Sequence, residues 1–190
     1  MTRIYSLRPN VTGAEAALLL HGRGLPGALG RLTRGPLRRI APWYVPFRVY
    51  AVNIRNGRQE DVQYFAADAV NGALDLYRFN ALPERDELVA VETRNCMPAA
   101  LDPATTRRDV TDKVRRAIYQ TGFFRLRSFG IDARPAPLPD LCVPYWVGFY
   151  GAGDRARVAV VDAVRRRPEG ARVRELIRSW LAVDPTPQAR

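Results

Sequence analysis

The sequence predicts an α+β fold made of two related units, each a helix plus an antiparallel β-meander, packed as one body. Three observations carry this. Val45 to Val70 (VPFRVYAVNIRNGRQEDVQYFAADAV) is echoed by Val143 to Val164 (VPYWVGFYGAGDRARVAVVDAV). Both open on Val-Pro-aromatic, alternate apolar residues through two strands and close on Asp-Ala-Val. A helix-forming segment precedes each copy. Strong turn pairs, Asn56-Gly57 and Asn71-Gly72, punctuate the first copy.

Taken in order, residues 1–10 read as an extended lead-in. Val11 to Arg23 reads as a short helix. Thr12 is its N-cap, and Glu15, three residues on, completes a capping box. Ala16, Leu19 and Leu20 form one apolar face. Leu25 to Ile40 reads as a second helix, because its apolar residues recur mostly every three or four positions; Gly35-Pro36 should break or kink it. Trp43 to Ile54 reads as a strand, with Pro46 implying an edge or bulge. Asp61 to Ala67 is the return strand, Ala73 to Phe79 a third, and Leu88 to Thr93 a further one.

Asn95 to Pro103 (NCMPAALDP) is the boundary between the units, 1–94 and 103–183, with residues 184–190 a tail. Asp102 caps a helix with Pro103 at its first position, running to about Thr121. Val110, Val114, Ala117, Ile118 and Thr121 form its buried stripe. Phe123 to Phe129 reads as a strand, and Arg134 to Pro139 as a stiff link. Leu141 to Tyr150 and Arg155 to Val161 pair across a turn at Gly151 to Asp154. Gly170 to Val183 closes the chain as a helix, with Val173, Leu176, Ile177, Trp180 and Leu181 at i, i+3, i+4, i+7 and i+8.

Thr12 to Ala17 (TGAEAA) with Ala66 to Gly72 (AADAVNG) resembles the PepSY pattern. There a capped helix precedes a small antiparallel sheet, and a Val-Asp-Ala-x-Thr-Gly turn links two strands. The second copy keeps Val161-Asp162-Ala163 but has Arg165-Arg166 where the glycine would fall. The resemblance covers about half the chain. It implies a non-enzymatic binding or inhibitory domain, often outside the cytoplasm, and no catalytic residue.

No apolar run approaches the roughly 20 residues of a membrane span, and no secretory leader is evident. The expected location is the cytoplasm, or outside it if a leader has been removed. Cys96 and Cys142 allow one disulfide but no framework; two free thiols are expected. With one histidine, His21, they cannot make a four-ligand zinc site.

Ala17 to Gly24 (ALLLHGRG) is similar to the His-Gly turn of α/β-hydrolases, but Gly-x-Ser-x-Gly and a second histidine are missing. Gly22 to Gly27 (GRGLPG) has the dinucleotide-binding glycine spacing, but lies between helical segments and not in a βαβ unit. Asp68 and Asp162 could share a metal or a proton; closing their strands by accepting backbone amides is the simpler expectation. No catalytic residue, metal ligand or cofactor is expected, and the chain reads as a non-enzymatic interaction domain with an unknown protein partner.

The net charge is +11, nearly all of it arginine, with Lys113 the only lysine. Coding bias accounts for arginine in place of lysine. The alternative reading is a binder of nucleic acid or another polyanion. Successive strand residues face opposite ways, so Tyr145 and Trp146 cannot both lie in one core. Either such aromatics are buried under flanking helices, or some form a surface with nearby arginines. The candidate surface is Tyr145, Trp146, Arg155, Arg157, Arg48 and Arg55. The pairs Arg38-Arg39, Arg107-Arg108 and Arg115-Arg116, and the run Arg165 to Arg167, are expected to be solvated.

Overall fold

The computed structural model describes residues 1–21, 35–120, 129–151 and 157–182. Its strands are β1 (Thr2–Leu7), β2 (Leu37–Asn56), β3 (Gln59–Asp68), β4 (Tyr77–Phe79), β5 (Leu88–Thr93), β6 (Phe129–Pro135), β7 (Leu141–Tyr150), β8 (Arg157–Asp162) and β9 (Arg167–Pro168). Its α-helices are α1 (Gly13–His21), α2 (Pro103–Gln120) and α3 (Ala171–Ala182), and Arg85–Glu87 forms a 3₁₀ turn. The fold is mixed α+β with mostly antiparallel strand pairing.

The chain divides into two compact units that alternate along the sequence: residues 1–7 with 45–143, and residues 8–44 with 144–190. This differs from the consecutive division at 94–103 expected from the sequence. The reason lies in the helices. Helix α1 packs with β8, far along the chain, and α2 packs back on β3 as well as on β6, which follows it.

In the first unit, β2 pairs antiparallel with β3 from Phe47↔Asp68 to Asn56↔Gln59. Asn56-Gly57 makes the tight turn expected, with Gly57 at φ 59°, a left-handed value that a side chain would resist. The other edge of β2 pairs with β6, from Tyr50↔Pro135 to Asn56↔Phe129. Strand β4 adds to β3 through three residues. Strands β1 and β5 form an antiparallel ribbon, and Ser6 is the parallel partner of Cys142 on β7. Helix α2 begins at the expected cap: the Thr105 amide donates to Asp102 Oδ1 at 2.9 Å. It turns Thr106, Val110 and Val114, spaced by one turn, inward. Val110 and Val114 cluster with Tyr50, Val52, Ala67 and Ala133. A fully buried side chain of this size stabilises the fold by about 1.5–3 kcal/mol. Ala117, expected in the stripe, is exposed, and Ile118 is half-buried.

In the second unit, β7 pairs with β8 from Tyr145↔Asp162 to Tyr150↔Arg157, and β8 pairs with the short β9. Helix α1 has the expected capping box. Thr12 N–H donates to Glu15 Oε2 at 2.8 Å, and Glu15 N–H donates to Thr12 Oγ1 at 3.3 Å. Leu20 from α1 packs with Tyr150, Ala159 and Val161, and Leu37, Ile40 and Trp146 join them. Leu19, expected beside Leu20 on the apolar face, is exposed. Helix α3 buries Val173, Leu176 and Ile177. Trp180 meets Trp43 edge to face, with ring centroids 5.0 Å apart.

The second helix expected over Leu25 to Ile40 is not found at its end. Leu37 to Ile40 opens β2, and Gly35 at φ 78° cannot continue a right-handed helix. Residues 25–34 of that segment, residues 123–128 of the strand expected over Phe123 to Phe129, and residues 152–154 of the turn expected at Gly151 to Asp154 lie outside the described residues.

Candidate functional site

The two strand pairs end in similar carboxylate-closed turns. In the first unit Asp68 is fully buried. Its Oδ1 accepts the amides of Val70, Asn71 and Gly72, and Oδ2 accepts that of Leu74. In the second, buried Asp162 accepts the amides of Val164 and Arg165 on Oδ1, at 2.8 and 2.7 Å. Each carboxylate organises the turn that follows its strand, as the simpler sequence reading expects.

After each turn one carbonyl receives a distant segment. Ala69 O accepts the amides of Ala100 and Leu101, just before the Asp102 cap; Ala163 O accepts that of Asn10, just before the Thr12 cap. A strand side chain then holds the last carbonyl before the cap. In the first unit this is Arg48, whose Nη1 donates to Leu101 O at 2.5 Å and to Thr106 Oγ1 at 3.1 Å, while Nε meets Asp140 Oδ2 at 3.1 Å. In the second it is Trp146, whose Nε1 donates to Val11 O at 2.9 Å.

Arg48 and Trp146 therefore serve as braces, and Trp146 is half-buried. Tyr145 is 3% exposed, so its place in the surface expected from the sequence is corrected. Tyr145 points inward because it alternates with Trp146, and Trp146 is occupied by its helix. Arg55 and Arg157 are exposed, on β2 of the first unit and β8 of the second. Arg155 lies outside the described residues.

His21 ends α1, with Nδ1 2.7 Å from Ala17 O, one turn earlier on the same helix. Among the described residues no group of three or more His, Cys, Asp or Glu is placed to hold a metal ion, and no helix is long and apolar enough to cross a membrane. The capping carboxylates Glu15 and Asp102 are held below the usual carboxylate range, Glu15 chiefly by the Thr12 amide and Asp102 chiefly by the Thr105 hydroxyl. Glu169 goes the other way: burial, and then the Asp162 charge, push its carboxyl up.

The units differ most in charge. The second holds fifteen arginines against six carboxylates, a net of +9; the first holds fifteen basic residues against thirteen carboxylates, a net of +2. Basic residues are equally numerous in both, so the contrast lies in the carboxylates. In the first unit Arg107 and Arg134 both meet Asp132, and Arg115 meets Asp112. In the second, Arg38, Arg39, Arg157, Arg166, Arg167, Arg172 and Arg178 are exposed, and Glu15, Glu169 and Glu175 pair with three of these. Sequence reading missed this contrast because residues 1–94 carry +4 and residues 95–190 carry +7. In comparisons with known proteins, no family model, no curated protein and no solved structure matches the chain.

Proposed function

We propose that the chain is a non-enzymatic binding domain whose unit formed by residues 8–44 and 144–190 engages a polyanion. The charge contrast carries this reading. Coding bias exchanges lysine for arginine, but it does not thin the carboxylates of one unit. Arginine forks suit phosphate and carboxylate groups. The non-enzymatic part is supported by the bonding of the best chemical candidates, since Asp68 and Asp162 accept turn amides and His21 back-bonds to its own helix.

The test is binding of fluorescent single- and double-stranded oligonucleotides at low and near-physiological salt. Replacing Arg39, Arg157 and Arg178 together by serine should weaken binding about ten-fold or more and flatten its salt dependence. The same change at Arg107, Arg115 and Arg116 should matter several-fold less. Equal effects, or no binding left at about 0.15 M salt, would reject the reading.

We also infer that the two units are copies of one helix-plus-hairpin design, PepSY-like in plan, with their helices exchanged along the chain. Support comes from the sequence echo together with the paired details: Asp68 and Asp162 at the turns, Ala69 and Ala163 carbonyls, and Arg48 and Trp146 bracing Leu101 and Val11.

A further inference from the structure

Cys96 follows β5 and is half-buried; Cys142 lies on β7 and is buried. Both are thiols, and their sulfurs are 3.8 Å apart. A disulfide needs about 2.05 Å, so closing the gap calls for an approach of about 2 Å. The surroundings already hold the two segments together. Arg48 binds Asp140, two residues before Cys142, and the carbonyl of Leu101, five residues after Cys96. The parallel Ser6↔Cys142 pairing fixes the Cys142 backbone, and Met97, beside Cys96, is 1% exposed.

We propose that Cys96 and Cys142 are an oxidation site that closes to a reversible intrachain disulfide by exchange with a low-molecular-weight disulfide. Cys96, the more accessible, attacks as thiolate, and one small thiolate leaves. Cys142 then gives its proton to solvent and attacks Cys96 Sγ. The Cys96–Cys142 bond forms, the mixed bond breaks, and the second small thiolate leaves. Two protein thiols are oxidised by two electrons, and one small disulfide is reduced to two thiols, which take up the two protons. The roles fit the environment of each sulfur. A hydrogen bond from Cys142 holds the Cys96 thiol below its usual range, while that same bond and burial push Cys142 up.

The test equilibrates the whole protein in buffers of graded reduced and oxidised glutathione, followed by alkylation and mass spectrometry, in native buffer and in concentrated urea. The expected result is a Cys96–Cys142 linked peptide, with an oxidation constant at least about ten-fold larger in the native protein than in urea. Arg48→Ala should lower the native constant and leave the urea value unchanged. A native constant equal to or below the urea value, or glutathione adducts that persist on Cys96, would overturn the proposal.

Discussion

Trp146 donates its indole N–H to the carbonyl of Val11 at 2.9 Å, and Val11 immediately precedes the Thr12 cap of α1. The same ring covers the first residue of the helix: a Cβ at Gly13 would lie 3.3 Å from Trp146 Cη2. The indole cannot retreat without lengthening its hydrogen bond. Gly13→Ala, which elsewhere in a helix would help, should therefore destabilise by about 1 kcal/mol. Trp146→Phe should cost about 1–2 kcal/mol by removing the donor to Val11, and should suppress the Gly13→Ala penalty. A double-mutant cycle in urea checks this, and additive penalties would count against it.

Arg48 and Arg55 lie on the same strand but should respond differently to lysine. Arg48 needs its planar fork, since Nε serves Asp140 while Nη1 serves Leu101 and Thr106. A lysine keeps the charge but not this geometry. Arg48→Lys should lower stability by about 1–3 kcal/mol. Exposed Arg55→Lys should stay within about 0.5 kcal/mol. Urea midpoints would decide it, and a silent Arg48→Lys would remove the brace from the account.

Local chemistry was legible in the sequence where a few adjacent residues settle the outcome. Thr12 with Glu15 announced a cap because each can reach the other's backbone. Asn56-Gly57 announced a turn because glycine tolerates φ 59°. Leu37 to Ile40 misled because two apolar residues three apart suggest a helical face, yet so short a span carries too little pattern to decide, while Gly35 rules out the helix. The candidate surface was less legible. Tyr145 and Trp146 were expected together with Arg48, yet Tyr145 is core, and Trp146 and Arg48 each hold a helix start. Which helix packs on which hairpin depends on contacts distant in sequence, so the charge contrast between the units stayed hidden as well.

Glu169 gives a pH-dependent prediction. Burial and the Asp162 charge raise its folded-state pKa above the unfolded value of about 4.3, and Arg167 and Arg165 offset this in part. Below the unfolded value the carboxyl is neutral in both states and costs nothing. As pH rises through the folded value, the folded state must ionise an unfavourably placed group, and stability is lost. Glu169→Gln should thus be the more stable protein at pH 7, by less than about 1 kcal/mol, with the advantage gone by about pH 3.5. Glu15 and Asp102 have lowered values, so their contribution is present above the unfolded range and is lost on acidification. A Glu169→Gln advantage that grows towards acid would contradict the sign.

The packing partners of α1 and α2 make the last prediction. Thr12→Ala removes the acceptor for the Glu15 amide at the start of α1, and Asp102→Ala removes the acceptor for the Thr105 amide at the start of α2. Each loss costs about 1 kcal/mol, roughly a five-fold change in local opening. Helix α1 packs with β8, and α2 packs with β6 and β3. Native-state hydrogen exchange should therefore quicken in β7 and β8 for Thr12→Ala, and in β2, β3 and β6 for Asp102→Ala. If each helix instead served the hairpin that follows it in sequence, the two patterns would be interchanged. That outcome would restore the consecutive division of the chain and would also undo the charge contrast, since that contrast depends on which residues belong to which unit.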